Sequence, residues 1–388
     1  MSFSLLALVV LVGLLGPLLA ARVSWRIPVV IGELIGGLLI GTSGLQLVDS
    51  TDVGFQLLAT IGFGLTMVVV GSRIPVRDPL VRAAFARGLA GAVVVGIVAA
   101  LLGVAIAAGL GDGHAALYAV LLASSSAALV LPMLQSVGLV GASVAQLVAQ
   151  IAIADVICVV ALPLVVAPAK ALEAAVVAVV IAVAAILLLL FLSRLGRTDL
   201  RHRLHEYSER RRFALELRFS LLVLFSFAAI AQLANVSIML AGFALGLVLS
   251  AAGEPHRLAR QLFGITEGFF GPLFFVWLGA SLNVREFAQN PSTIALGLVL
   301  GLGAVLAHLA ARGVRLPWLQ AVASAGQLGV PVAAVTLGIQ AGTLAPGEQT
   351  GIILGALITI AISATATGFA ARRAVPLPNP VANTPNEQ

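Results

Sequence analysis

Charge is scarce in this chain: Asp, Glu, Lys and Arg make up 10% of its 388 residues and hydrophobic residues 60%, whereas a soluble domain carries about 25% charged residues. A water-soluble globule is therefore excluded. Cysteine is nearly absent, and the lone Cys158 lies in an apolar stretch, which removes disulfides and cysteine-based metal sites. Short alternating segments, the mark of an outer-membrane barrel, are missing too; the apolar stretches are helix-length. No nucleophile, metal-ligand or phosphate-loop constellation is visible, so neither an enzyme nor a metal cofactor is expected.

What the chain has is long apolar runs. Hydropathy and breaker residues give thirteen candidate crossings, at about 3–21, 27–45, 54–72, 87–110, 114–137, 141–168, 171–193, 213–234, 236–250, 261–283, 291–311, 317–341 and 349–371. The expected fold is an all-α polytopic membrane bundle. Alternating the loops puts Arg22, Arg26, Arg73, Arg77, Arg82, Arg87, the cluster from Arg194 to Arg218, Arg257, Arg260, Arg312, Arg315, Arg372 and Arg373 on one side, with only Lys170 and Arg285 on the other. The positive-inside rule then sets the N-terminus outside and the C-terminus in the cytoplasm, so the net charge of +6 reports orientation rather than a nucleic-acid partner. The first segment lacks a basic n-region, which favours a retained helix over a signal peptide. A polar loop from Arg194 to Arg212, with His202, His205, Glu206 and Glu209, divides the chain, and residues 374–388 read as a disordered cytoplasmic tail.

Asp155 interrupts the run from Leu139 to Val166 with no basic residue nearby in sequence. A charge at the centre of a membrane helix costs roughly 2.5 to 3.5 kcal/mol on insertion scales, so an acid there marks a function by default. A protonated structural hydrogen-bonder, or an acid paired with a base on another helix, would also account for it.

The halves echo each other. Thr60-Ile61-Gly62-Phe63 resembles Thr266-Glu267-Gly268-Phe269, and Ile31-Gly32-Glu33-Leu34 resembles Ala241-Gly242-Phe243-Ala244, each pair seven crossings apart. An odd offset requires inverted repeats, about 1–168 and 213–371, joined by a linker helix at 171–193 within a single membrane domain, 1–373. In such folds the substrate site lies where discontinuous helices of the two repeats cross. The fifth crossing carries Ser124-Ser125-Ser126 and Pro132; the twelfth carries Gly326, Gln327, Gly329 and Pro331. Proline lacks the amide hydrogen, so both segments are expected to break there and expose carbonyls and half-helix ends. Small residues that merely permit close helix packing are the alternative.

The run from Ile27 through Gly32-Glu33-Leu34 to Gly41-Thr42-Ser43-Gly44-Leu45, with Phe269-Phe270-Gly271-Pro272-Leu273-Phe274-Phe275 through Leu282, resembles the monovalent cation/proton antiporter superfamily, in particular its branch of bacterial Na⁺/H⁺ and K⁺/H⁺ exchangers. The resemblance implies a homodimer with a dimerisation domain (crossings one to three and eight to ten) and a mobile core (four to six and eleven to thirteen). It places the ion-binding aspartate at Asp155, with Ser124, Ser125, Ser126 and unwound carbonyls as oxygen ligands for Na⁺ or K⁺. A buried carboxylate can be neutralised by a proton or by a cation, and the two compete for the same oxygens. Gln150 either lines that cavity or binds a neighbouring helix. Glu33 belongs to the opening motif and Glu267 lies near the end of the tenth crossing; structural or gating roles suit both.

Departures from the family pattern bear on mechanism. Ala154 stands where a second polar residue usually precedes the aspartate, which points to electroneutral one-for-one exchange. His308 stands where a lysine or arginine is usual; it is either a pH sensor and partner to Asp155 or a neutral histidine bonded to a carbonyl. Two other functions stay open: a proton-coupled carrier of another solute, and a membrane sensor or assembly subunit on the same scaffold.

Overall fold

The computed structural model describes residues 2–21, 29–74, 76–195, 215–233, 238–253, 256–282, 285, 291–345 and 347–373. Arg22, Arg26, Ile27, most of the dividing polar loop and the C-terminal tail lie outside the described residues. Those described form helices and connecting turns, with no strand among them. The helices are α1 (Phe3–Ala20), α2 (Val29–Ile40), α3 (Val53–Ser72), α4 (Phe85–Leu110), α5a (Ala115–Ala123), α5b (Ala127–Ser136), α6 (Ala142–Val166), α7 (Ala171–Leu195), α8 (Leu215–Leu233) and α9 (Ile238–Ala252). Then follow α10, built from His256–Ile265, a π-helical turn Thr266–Phe270 and Gly271–Ser281, then α11 (Pro291–Leu309), α12a (Trp318–Ala323), α12b (Gly329–Ala341) and α13 (Glu348–Arg373).

Eight helical stretches are long and apolar enough to cross a membrane, among the described residues. The other five expected crossings fall on α2, α8 and α9, whose apolar stretches are 10–17 residues long, and on the interrupted α5 and α12. Twelve residues of helix, as in α2, rise only about 18 Å against a hydrocarbon core of about 30 Å, so length alone cannot count them. Helix ends follow local chemistry: the Asp52 carboxylate accepts the Phe55 N–H at 2.8 Å to start α3. Gly111 and Gly342, at φ +72° and +64°, end α4 and α12b in the left-handed region.

Packing falls into two groups. In one, α2 lies on α10, α3 on α9, and α1 on α2 and α10; in the other, α4 lies on α5a and α6, α11 on α13, and α12b on α6 and α13. α7 touches α6 in one group and α9 in the other. The opening motif now has a physical reason. A Cβ on Gly37 or Gly41 would collide with the backbone of Val276 and Ala280 on α10, and one on Gly279 with the carbonyl of Leu34. On the far side of the bundle, the Glu348 carboxylate ties α13 to α5a, 2.7 Å from His114 Nδ1 and 3.0 Å from the Tyr118 hydroxyl.

Candidate functional site

Both interrupted helices break beside each other. Ser124 to Ser126 separate α5a from α5b in extended backbone, with ψ of 147° at Ser124 and 107° at Ser126. Ser324 to Leu328 separate α12a from α12b. The Ser126 N–H donates to the Gly326 carbonyl at 2.9 Å, so the two breaks hydrogen-bond backbone to backbone. Ser125 Oγ donates to the Ser324 carbonyl at 2.7 Å and lies 3.0 Å from His308 Nε2. Helix α13 supplies the remaining partners: Ser363 Oγ donates to the Ala323 carbonyl at 2.6 Å, and Thr359 Oγ1 accepts the Gln327 N–H at 3.3 Å. Non-helical backbone in an apolar bundle survives only where such partners exist.

The proline expectation needs correcting. Pro132 falls within α5b, and the break precedes it at the three serines. Pro331 is the third residue of α12b, where its missing N–H removes no intrahelical bond, and Gly329 opens that helix. Gly326 and Gln327 do lie in the break.

Asp155 sits in the middle of α6, 4% exposed. Its Oδ2 accepts the Ala127 N–H at 3.2 Å, so the carboxylate caps the start of α5b, where the helix dipole favours negative charge. One cavity takes in Asp155, Ser126 and Val159 on one wall and Thr66, Met239, Phe274 and Phe275 on the other, with Leu328, Gly329 and Val330 at its end. It therefore opens between the two packing groups. Pro163 of α6 has no N–H to give the Val159 carbonyl four residues back.

The three serines diverge. Ser126 lines the cavity, and its hydroxyl is engaged by none of the described residues. Ser124 Oγ donates to the Leu121 carbonyl at 2.9 Å, and Ser125 stitches the crossing. Gln150 does not line the cavity; its Nε2 donates to Ser324 Oγ at 3.4 Å. His308 is fully buried, its Nδ1 2.9 Å from the Ala304 carbonyl, and it forms no ion pair with Asp155. Glu33 is buried on α2 against Gly16 of α1, away from the cavity. Glu267, on the exposed side of the π-helical turn, pairs with Arg73, which also lies 5.2 Å from the centre of the Phe263 ring. Thr66, Met239 and Val159 were missed in the sequence; Pro163, four residues beyond Val159, was the one available signal for the last.

The sequence profile of the family described as "Sodium/hydrogen exchanger, transmembrane" matches residues 6–373. The chain belongs to the sodium/hydrogen exchanger family. It is thus a member of a family of membrane transporters and not an enzyme. Its fold is similar to that of the sodium proton antiporter MjNhaP1 from Methanocaldococcus jannaschii, solved at pH 8, with a TM-score of 0.67 over 95% of this chain and 97% of that one at 18% identity. A stretch of 73 residues, 19% of the chain, is 42% identical to the Bacillus subtilis (strain 168) protein named "Putative Na(+)/H(+) antiporter YjbQ". That stretch spans 12% of the Bacillus protein's length.

Proposed function

We propose that this exchanger-family protein is a secondary antiporter that trades a monovalent cation, Na⁺ or K⁺, for H⁺, with Asp155 as the shared carrier. The observation that carries the reading is the placing of a buried carboxylate, unpaired with any base among the described residues, in a cavity between two helix groups. A dehydrated Na⁺ or K⁺ takes oxygen ligands. The Asp155 carboxylate, the Ser126 hydroxyl and the Val159 carbonyl supply them on one wall. When the proton is on Asp155 the cation has lost its charged ligand; when the cation is bound the proton has lost its site. Because Ala154 offers no second acid, one charge travels each way and the exchange is electroneutral.

Alternating access follows if the group of α4–α6 and α11–α13 moves against the group of α1–α3 and α8–α10, carrying Asp155 from one side to the other. Two features support an inverted repeat: α2 on α10 mirrors α9 on α3, and the α5 break mirrors the α12 break. Thirteen crossings, an N-terminus outside, a cytoplasmic C-terminus, residence in the inner membrane and a homodimer through α1 and its neighbours complete the proposal.

A second reading has an observation of its own. The start of α12b faces the cavity without a side-chain cap, and a helix N-terminus favours an anionic group, as a proton-coupled carrier of an anionic solute would need. Purified protein in proteoliposomes, with Na⁺, K⁺ and Li⁺ gradients imposed in turn and internal pH recorded, separates these. Cation-dependent proton flux, insensitive to an imposed membrane potential, is expected. Proton flux that ignores all three cations favours the anion carrier, and no flux at all favours a sensor or assembly subunit.

A further inference from the structure

Four titratable side chains meet where α4 gives way to α5a, and the exchange just described uses none of them. The Tyr118 hydroxyl lies 2.8 Å from Asp112 Oδ2 and 3.0 Å from Glu348 Oε1, and His114 Nδ1 lies 2.7 Å from the same Glu348 oxygen. The other carboxylate oxygens are taken by the backbone: the His114 N–H donates to Asp112 Oδ1 at 3.0 Å and the Ala345 N–H to Glu348 Oε2 at 2.9 Å. Glu348 and Tyr118 are buried, whereas His114 and Asp112 are half-buried, so protons reach the cluster from water through these two. The titratable groups on the helices packed against α5a and α13 stand elsewhere. Arg87, Arg372 and Arg373 occupy the opposite helix ends, Asp155 and Cys158 the middle of α6, and His308 meets the break beyond the far end of α5a.

The three side-chain contacts need three protons, and with both acids ionised the cluster has two. A tyrosine hydroxyl carries one proton and a neutral imidazole can carry one on Nδ1, while an ionised carboxylate only accepts. If Tyr118 donates to Asp112, its oxygen faces the Glu348 oxygen lone pair to lone pair; if it donates to Glu348, it faces Asp112 in the same way. A second proton on the imidazole goes to Nε2, outside these contacts, and leaves the deficit in place. A third proton on a carboxyl oxygen removes it: Glu348 Oε1–H then donates to the Tyr118 oxygen, Tyr118 donates to Asp112, and His114 Nδ1–H donates to Glu348. That proton belongs to the cluster rather than to one residue. Without it, two like charges converge on one hydroxyl, and one contact must lengthen.

From Tyr118, α5a runs straight into Ser124 to Ser126, and Glu348 opens α13, whose Thr359 and Ser363 hold the other break. We propose that Asp112, His114, Tyr118 and Glu348 form a proton-operated latch between α5a and α13, closed with the third proton and open without it, so that alkaline pH slackens the crossing and draws Ser126 away from the cation. It rests on the exchange reading only for that last effect, so the test has one arm without transport. In a Glu348→Gln protein the amide NH₂ can donate to both the Tyr118 oxygen and His114 Nδ1, which fixes the latch closed with no proton to lose. A proton held more tightly in the folded state than in the unfolded one stabilises at low pH, and that stability is lost as pH rises. Thermal unfolding of the full-length proteins should therefore coincide in acid, with the wild type falling behind Glu348→Gln by roughly 2–4 °C in alkali. Should Glu348→Gln not fold, Tyr118→Phe, with no hydroxyl to share, should lag the wild type in acid and draw level in alkali. A gap that does not change with pH overturns the latch. In proteoliposomes the KM for cation, after falling from acid to neutral pH, should rise roughly fivefold in alkali, the size of one hydrogen bond, in the wild type and not in Glu348→Gln. An alkaline rise in both, or in neither, overturns the coupling to Ser126. The expected thermal gap in a wild-type protein that exchanges no cation supports the latch and overturns the antiport reading instead.

Discussion

The contact of α2 with α10 and the crossing of α5 with α12 bring backbones together by different means. At α2–α10, bare glycines at 37, 41 and 279 let two intact helices touch along their length. At the crossing the helices themselves are interrupted, and Ser125, Thr359 and Ser363 take the place of the lost helical bonds. Packing of the first kind has no alternative partner and resists sliding. Hydrogen bonds of the second kind can be exchanged one at a time, which suits the alternating exposure of Asp155 proposed above.

That contrast can be broken from either side. The largest effects separate the two regions cleanly. Gly279→Leu forces side-chain atoms into the Leu34 carbonyl and should cost about 3 kcal/mol, the upper end of the usual range for overpacking, read as loss of monodisperse protein on size exclusion. Asp155→Asn should leave the protein folded with unchanged thermal stability but without cation-dependent exchange; a variant that still exchanges at the wild-type rate sinks the carrier assignment. Next, Ser126→Ala should raise the KM for cation about tenfold, the value of one ligand or hydrogen bond, while Ser124→Ala, whose hydroxyl serves its own helix, should leave KM unchanged. Equal shifts in the two would undo the distinction drawn between them. The smallest effect is expected at Arg73 and Glu267, a pair with half-exposed side chains. Glu267→Gln should change stability by only about 0–1 kcal/mol, and a loss of exchange there would reveal a gate where a surface tie is inferred.

Much of this was legible in the sequence, for identifiable reasons. Hydropathy marks each long helix because a bilayer leaves the chain few options, and Asp155 stands out because an acid in an apolar run is costly. The Ser124–Ser126 and Gly326–Gln327 segments were legible as breaks. Their detail was not. Proline pointed to Pro132, but the chain breaks where partners from α11 and the α12 break are available, and those lie 183 and 199 residues away in sequence. Which serine faces the cavity depends on the dihedral angles of three non-helical residues, for which no periodicity exists. The opposing wall, with Thr66 and Met239, and the Arg73–Glu267 tie are tertiary meetings without a local signal.

The most direct test of the central claim, that proton and cation compete for the Asp155 carboxylate, is the KM for cation measured in proteoliposomes across a series of pH values. Competition predicts that KM rises as pH falls while saturating cation restores the maximal rate. A maximal rate that falls with pH at constant KM would contradict it.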